Sequence, residues 1–239
     1  MNKTVAEARA LVRELRSIVL PDDVEVAVAP PFTALEAVHD ELRGSQIQLA
    51  AQEMNAAERG AFTGEISPLM LKELGVSYVI LGHSEARRYL GETDEAVGAK
   101  VRSALAHGLT PIVAIGEDAR LHAEGRAAEH CIEQLRIAFE GVAAEDIARC
   151  VVAYEPIWAI GTGVSEDPRG ANERIAQLRA SLEGLAGTRM LYGGSMNPAN
   201  AAALMAQLEI DGGLIGGASL EAQSFAAVVA AASPAQAAR

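Results

Sequence analysis

Residues 189–217 read RMLYGGSMNPANAAALMAQLEIDGGLIGG. Two short apolar runs, RMLYG (189–193) and DGGLIG (211–216), flank a helix-period stretch at 198–208. Glycines crowd the ends of both runs, as Gly193-Gly194-Ser195, Gly212-Gly213 and Gly216-Gly217. Short, continuously apolar runs bounded by Gly, Pro or polar residues are typical of strands buried on both faces. Glycines at the ends of the last strands let main-chain N–H groups approach an anion, and a phosphate site there is the habit of closed (β/α) barrels. A doubly wound sheet would carry its Gly-rich fingerprint after the first strand instead. Here VEVAVA (24–29) runs into Pro30-Pro31-Phe32, and the chain has no GxGxxG or Walker sequence. The stretch predicts a barrel.

The same alternation continues outward from it. IQLAAQ (47–52), SYVILG (77–82), TPIVAI (110–115) and CVVAYE (150–155) are further strand candidates, and 35–43, 94–107, 120–139 and 171–185 carry helix periods. A repeating β-α pattern demands parallel strands joined by right-handed crossovers. No linker, low-complexity block or composition shift divides the chain, so residues 1–239 are expected to form one α/β barrel domain. Seven strands are visible, whereas closing such a barrel takes eight. Residues 1–23 hold an amphipathic helix and no strand, which places the expected additional strand upstream of Met1.

Composition narrows the function. Thirty-two acidic residues face 20 basic ones, a net charge of -12, and only Lys3, Lys72 and Lys100 are lysines. Nucleic acid is excluded on that balance, because releasing phosphate counterions needs clustered cations. An anionic metabolite remains open, since backbone N–H groups bind phosphate without net positive charge. Half the residues are hydrophobic but only 4% are aromatic, so the core must be aliphatic. Cys131 and Cys150 give no disulfide framework and are expected to be reduced and partly buried. The five scattered histidines form no metal motif, and no stretch reads as a signal peptide or membrane span. A soluble, cytoplasmic protein is expected.

In barrels of this kind the C-terminal ends of the strands face the active site. One strand ends Gly82-His83-Ser84-Glu85 and then turns helical, so His83 sits where a helix N-terminus disfavours imidazolium. A neutral His there can donate a hydrogen bond to a carbonyl oxygen; a structural histidine is the plainer alternative. Two later strands end Gly116-Glu117 and Tyr154-Glu155-Pro156-Ile157-Trp158. Either glutamate could be simply ion-paired. Glu155 is the better base, because it closes a wholly apolar strand and desolvation would lift its pKa towards working pH. The following Ala159-Ile160-Gly161-Thr162-Gly163 and Val164-Ser165-Glu166 read either as an ordinary βα loop or as a lid with an apolar tip, stiff hinges and a glycine N–H for an anion.

GAFTGEIS (60–67), ILGHSE (80–85), AYEPIWAIGTG (153–163), LYGGSMNP (191–198) and GLIGGASL (213–220) together resemble the triosephosphate isomerase family, in its order and spacing from about Val24 onward. The resemblance implies a TIM barrel. It also implies interconversion of glyceraldehyde 3-phosphate and dihydroxyacetone phosphate, in glycolysis and gluconeogenesis, with no metal or organic cofactor. Glu155 would be the catalytic base and neutral His83 the electrophile that stabilises the enediolate. Main-chain N–H groups of Gly161, Ser195, Gly216 and Gly217 would hold the phosphate. The family is usually a homodimer, joined by a loop corresponding to 55–67 with Thr63 near its tip, and Phe62 in that loop fits the expectation; a plain surface loop is the alternative.

Several positions depart from the family. Its first strand usually ends in Asn-x-Lys, and this sequence has no such pair; Lys3 lies three positions too late to be that lysine. Loss of one preorganised electrostatic contact of this kind typically costs about 10²–10³ in rate. An upstream strand is one explanation; a crippled isomerase or a phosphate-binding protein without turnover on the same scaffold is the alternative. Ala86 stands where the family often has Arg, with Arg87 and Arg88 following, which puts the pairing of Glu92 in question. Glu53 follows Gln52 where the family often has Asn, and Val164-Ser165-Glu166 replaces a more usual Lys-Thr-Ala.

Overall fold

The computed structural model describes residues 1–160 and 166–233. Its strands are β1 (Ala27–Val28), β2 (Gln48–Ala51), β3 (Tyr78–Leu81), β4 (Thr110–Ile115), β5 (Val151–Tyr154), β6 (Arg189–Tyr192) and β7 (Gly212–Gly213). All lie inside the seven apolar runs. They are hydrogen-bonded in chain order and every neighbouring pair is parallel, with Val28 opposite Leu49, Tyr78 opposite Thr110, Ile112 opposite Val151 and Leu191 opposite Gly212. A doubly wound sheet reverses its strand order at a switch point. This sheet never does, so it is the wall of an α/β barrel. Among the described residues β1 and β7 each pair with one neighbour.

The helices are α1 (Val5–Ser17), α2 (Leu35–Leu42), α3 (Pro68–Glu73), α4 (Asp94–Ala106), α5 (Ala119–Ala123), α6 (Ala127–Ala138), α7 (Ala144–Ile147), α8 (Pro168–Arg179), α9 (Ala201–Met205) and α10 (Ala222–Ala231). Local chemistry sets their ends. Thr4 and Glu7 form a capping box that starts α1, and its buried Ala8, Val12 and Leu15 lie on one helical face. The single helix expected over 120–139 is two. Gly125, at φ +70, ends α5 in a Schellman turn in which the Arg126 N–H donates to the Leu121 carbonyl and the Gly125 N–H to that of His122. The helix expected over 171–185 starts earlier, at Pro168, capped by the Asp167 side chain, and stops at Arg179.

Two packing layers follow from strand alternation. Val79, Leu81, Val113, Ile115, Val152, Tyr154, Met190 and Tyr192 join the main core beneath the helices. Ile80, Ile112, Ala114, Val151 and Ala153 form a second, smaller cluster on the opposite face, with Tyr78 and Leu191 packed against it. That inner face is the barrel interior, and aliphatic residues dominate it, as the low aromatic content requires. Cys131 and Cys150 are free and buried; burial pushes the Cys150 thiol up to about 12 and Cys131 likewise upward, so both are inert core residues.

Leu135 on α6 is fully buried against the sheet. Replacing it with Ala removes contacts and leaves a cavity, so Leu135→Ala should destabilise the fold by about 2–5 kcal/mol in urea titration.

Candidate active site

Glu155 follows directly on β5. Residues 151 and 153 of that strand face the barrel interior, so the period of two brings 155 inward at the C-terminal rim. Its neighbours make room for it. A Cβ on Gly116, just beyond β4, would lie 1.9 Å from the Glu155 carbonyl oxygen, and one on Gly193, just beyond β6, would lie 2.9 Å from Glu155 Cγ. The residue is 1% exposed. One carboxylate oxygen, Oε2, accepts the Ser84 N–H at 2.9 Å. The other, Oε1, has His83 Nε2 at 2.9 Å but no donor aligned upon it. A buried carboxylate oxygen without a full hydrogen bond is costly and uncommon, which together with the facing imidazole makes Glu155 a candidate functional group.

His83 reaches Glu155 by breaking the alternation of β3. Residues 79 and 81 face the helix layer, and an unbroken strand would send 83 the same way. Gly82 has φ +77, a left-handed conformation, and a Cβ there would meet the Ala114 carbonyl oxygen at 2.8 Å. This kink turns His83 inward. Its Nδ1 accepts the Glu85 N–H at 3.2 Å, so the neutral ring carries its proton on Nε2, facing Glu155. Burial opposes an imidazolium here. The contact and charge of Glu155, with the charges of Glu85 and Glu92, outweigh burial and raise the pKa above its ordinary value. These carboxylates act against the helix N-terminus, whose position alone predicts a lowered imidazolium population at His83.

The structure separates the two candidate glutamates. Glu117 is fully buried and accepts hydrogen bonds from Tyr154 Oη at 3.1 Å and Trp158 Nε1 at 2.9 Å, with His122 Nδ1 3.5 Å away. The His122 ring also lies against the Trp158 indole, centroids 4.3 Å apart. Glu117 therefore braces the Pro156-Ile157-Trp158 turn behind Glu155. The one trace of this role in the sequence is Trp158, whose indole N–H needs a partner when buried. Glu166 joins the same cluster: its N–H meets Tyr192 Oη at 3.3 Å. Burial, then the Glu117 charge, push its carboxyl up to about 7, with Asp167 adding to them and Tyr154 and Arg174 opposing.

Of the expected phosphate residues, Ser195 follows β6, and its hydroxyl donates to the Ala159 carbonyl at 3.0 Å. Gly216 and Gly217 lie beyond β7 with open space where a side chain would project. Gly161, and the rest of the expected lid from 161 to 165, lie outside the described residues. No helix among the described residues is long and apolar enough to cross a membrane.

A parallel barrel wall with a carboxylate–imidazole pair at its C-terminal rim and glycine loops beside it defines an α/β-barrel enzyme. Comparison with known proteins gives the particular kind. The family model for triosephosphate isomerase matches residues 1–232. Proteins named triosephosphate isomerase are 50% identical in Thermoanaerobacter pseudethanolicus, over 96% of this chain and 95% of the relative, and 50% identical in Symbiobacterium thermophilum, over 99% and 95%. One from Clostridium botulinum is 47% identical over 96% of this chain and 95% of its own. The chain belongs to the triosephosphate isomerase family.

Glu166 sets a pH dependence of stability. Its folded pKa of about 7 lies above the ordinary 4.5. The folded state thus binds this proton more tightly, and the stability linked to it is full below about 4.5 and lost as pH rises through 7. Glu166→Gln cannot ionise. Discounted for its partial exposure, its stability relative to the parent should rise by about 1–2 kcal/mol from pH 5 to 8.5 in denaturant titrations.

Proposed function

We propose that this chain interconverts D-glyceraldehyde 3-phosphate and dihydroxyacetone phosphate through an enediolate. The contact between Glu155 Oε1 and His83 Nε2, at 2.9 Å, carries the reading. A substrate carbonyl entering between them would take the Nε2–H as its hydrogen-bond donor. Glu155 would then remove a proton from the carbon beside the carbonyl. The electrons left behind form the enediolate, whose oxygens His83 stabilises; a proton passes from the hydroxyl oxygen to the former carbonyl oxygen, and the protonated Glu155 returns its proton to the former carbonyl carbon, leaving the new carbonyl on its neighbour. Nothing is consumed. Displacing the Glu155 carboxylate from Nε2 also removes the main attraction for an imidazolium, while the Glu85 N–H on Nδ1 favours the neutral ring.

The phosphate would lie against main-chain N–H groups of Ser195, Gly216 and Gly217, with Gly161 as the fourth. The open space at Gly216 and Gly217 supports this, because a backbone N–H can approach an anion closely only where no side chain intervenes. Excluding water from such a site guards the enediolate phosphate against elimination. The relatives named above all carry the isomerase name, and none favours a phosphate binder without turnover. The reading places the chain in central carbon metabolism and in the cytoplasm.

Glu155→Gln should lower kcat at least ~10³-fold while inorganic phosphate still binds, measured by a coupled isomerisation assay and by calorimetry. Full activity in that variant would assign the base elsewhere.

The reading also makes the chain a homodimer through loop 55–67. The loop is closed at its base by the Asn55 N–H to the Ile66 carbonyl, and Phe62 near its tip is half exposed. Met70, Tyr89 and Leu90 add further exposed apolar surface. Phe62→Glu should shift sedimentation from the mass of two chains to that of one.

A further inference from the structure

Both peptide groups of Gly82, the residue that turns His83 inward, are held by side chains. Arg87 Nε donates to the Gly82 carbonyl at 2.6 Å, and Nη2 of the same side chain reaches the Ala114 carbonyl on β4 at 3.3 Å. On the other side, Glu92 Oε2 accepts the Gly82 N–H at 2.9 Å. Glu92 is deeply buried, its side chain 2% exposed, and its second oxygen is bound by Lys100 Nζ on α4 at 2.5 Å. Lys100 is shared. It also binds Glu53 Oε1, just beyond β2, at 2.9 Å. One ammonium therefore serves two carboxylates in a largely buried cluster next to the His83 kink.

We propose that Lys100 is a positioning residue for His83: by holding Glu92 on the Gly82 N–H it fixes the direction of the imidazole, and by countering part of the Glu92 charge it limits the pull towards an imidazolium. The kinetic consequence rests on the isomerase reading; the consequence at His83 does not. Without Lys100, Glu92 has no partner to hold its Oε1 in place, and its other oxygen is free to leave the Gly82 N–H. Two buried carboxylates would then face each other with their common cation gone, a strongly unfavourable arrangement. The charge of Glu92 also reaches His83. Burial opposes the imidazolium there, while Glu155, Glu85 and Glu92 favour it. A Glu92 no longer countered by Lys100 adds to that pull.

A purely structural role for Lys100 predicts something different: its removal would cost stability through buried charge and affect turnover only through unfolding. Two variants of the full chain separate the two, Lys100→Met and Lys100→Met/Glu53→Gln. The double variant removes one of the stranded carboxylates but leaves Glu92 without its partner. Lys100→Met should lower kcat about 10- to 100-fold with KM within about threefold, the signature of a displaced reacting group with intact phosphate binding. The His83 titration, followed by NMR, should move up by about 0.5–1 pH unit. The double variant should regain most of the urea stability while kcat and the His83 titration stay displaced. If Lys100→Met does not fold, the double variant carries the test. Return of kcat and stability together in the double variant, or an unchanged His83 titration, overturns the proposal. A parent chain that does not turn over triose phosphate would defeat the isomerase reading, and the His83 titration would still decide the role of Lys100.

Discussion

A strand in a parallel sheet leaves its residues no choice of face, and this molecule's candidate site depends on where that constraint is obeyed and where it is broken. On β5 it is obeyed: Val151 and Ala153 line the barrel interior, Val152 and Tyr154 go under the helices, and Glu155 continues inward at the rim. On β3 it is broken at one residue. Gly82 adopts a left-handed φ that side-chain-bearing residues avoid, and His83 is thereby brought to the side occupied by Glu155. The carboxylate and the imidazole come from strands separated by β4, and only the combination of one regular strand end and one kinked one lets them touch. Gly116 at the end of β4 is the third part of the arrangement, since a side chain there would overlap the Glu155 backbone.

Buried charge is handled by a few local clusters rather than by the net charge of the chain. Glu117 is satisfied by Tyr154, Trp158 and His122, and this braces the turn that follows Glu155. Lys100 neutralises part of the Glu53–Glu92 pair beside Gly82, and burial still drives Glu53 up to about 7. Elsewhere arginines tie successive β-α units together. Arg179 on α8 bonds the Thr188 and Glu209 carbonyls and the Glu209 and Asp211 side chains, and Asp211 in turn accepts the Met190 N–H. Arg9 and Arg13 of α1 grip Glu41 of α2 in the same manner. The partly buried Arg179 cluster holds register where the more exposed Arg13–Glu41 pair adds little.

Apolar periodicity determined the element types and their order, because burial of a strand on both faces or of a helix on one leaves a pattern that any reader of residues 24–217 can see. The glycines at the ends of the late strands determined the choice of a barrel, and Glu155 was legible as an inward, desolvated strand end. Gly125, which divides 120–139 into two helices, was visible but ambiguous, since an isolated glycine is tolerated inside a helix. What only the tertiary structure decided was pairing across elements: that Glu117 faces Tyr154 and Trp158 instead of the barrel mouth, that Glu166 shares their pocket, and that Lys100 joins Glu53 to Glu92. Glu117 stands 37 residues from Tyr154 and 41 from Trp158, and Glu53 47 from Lys100; which of them meet depends on the curvature of the sheet, which leaves no periodic trace in the sequence.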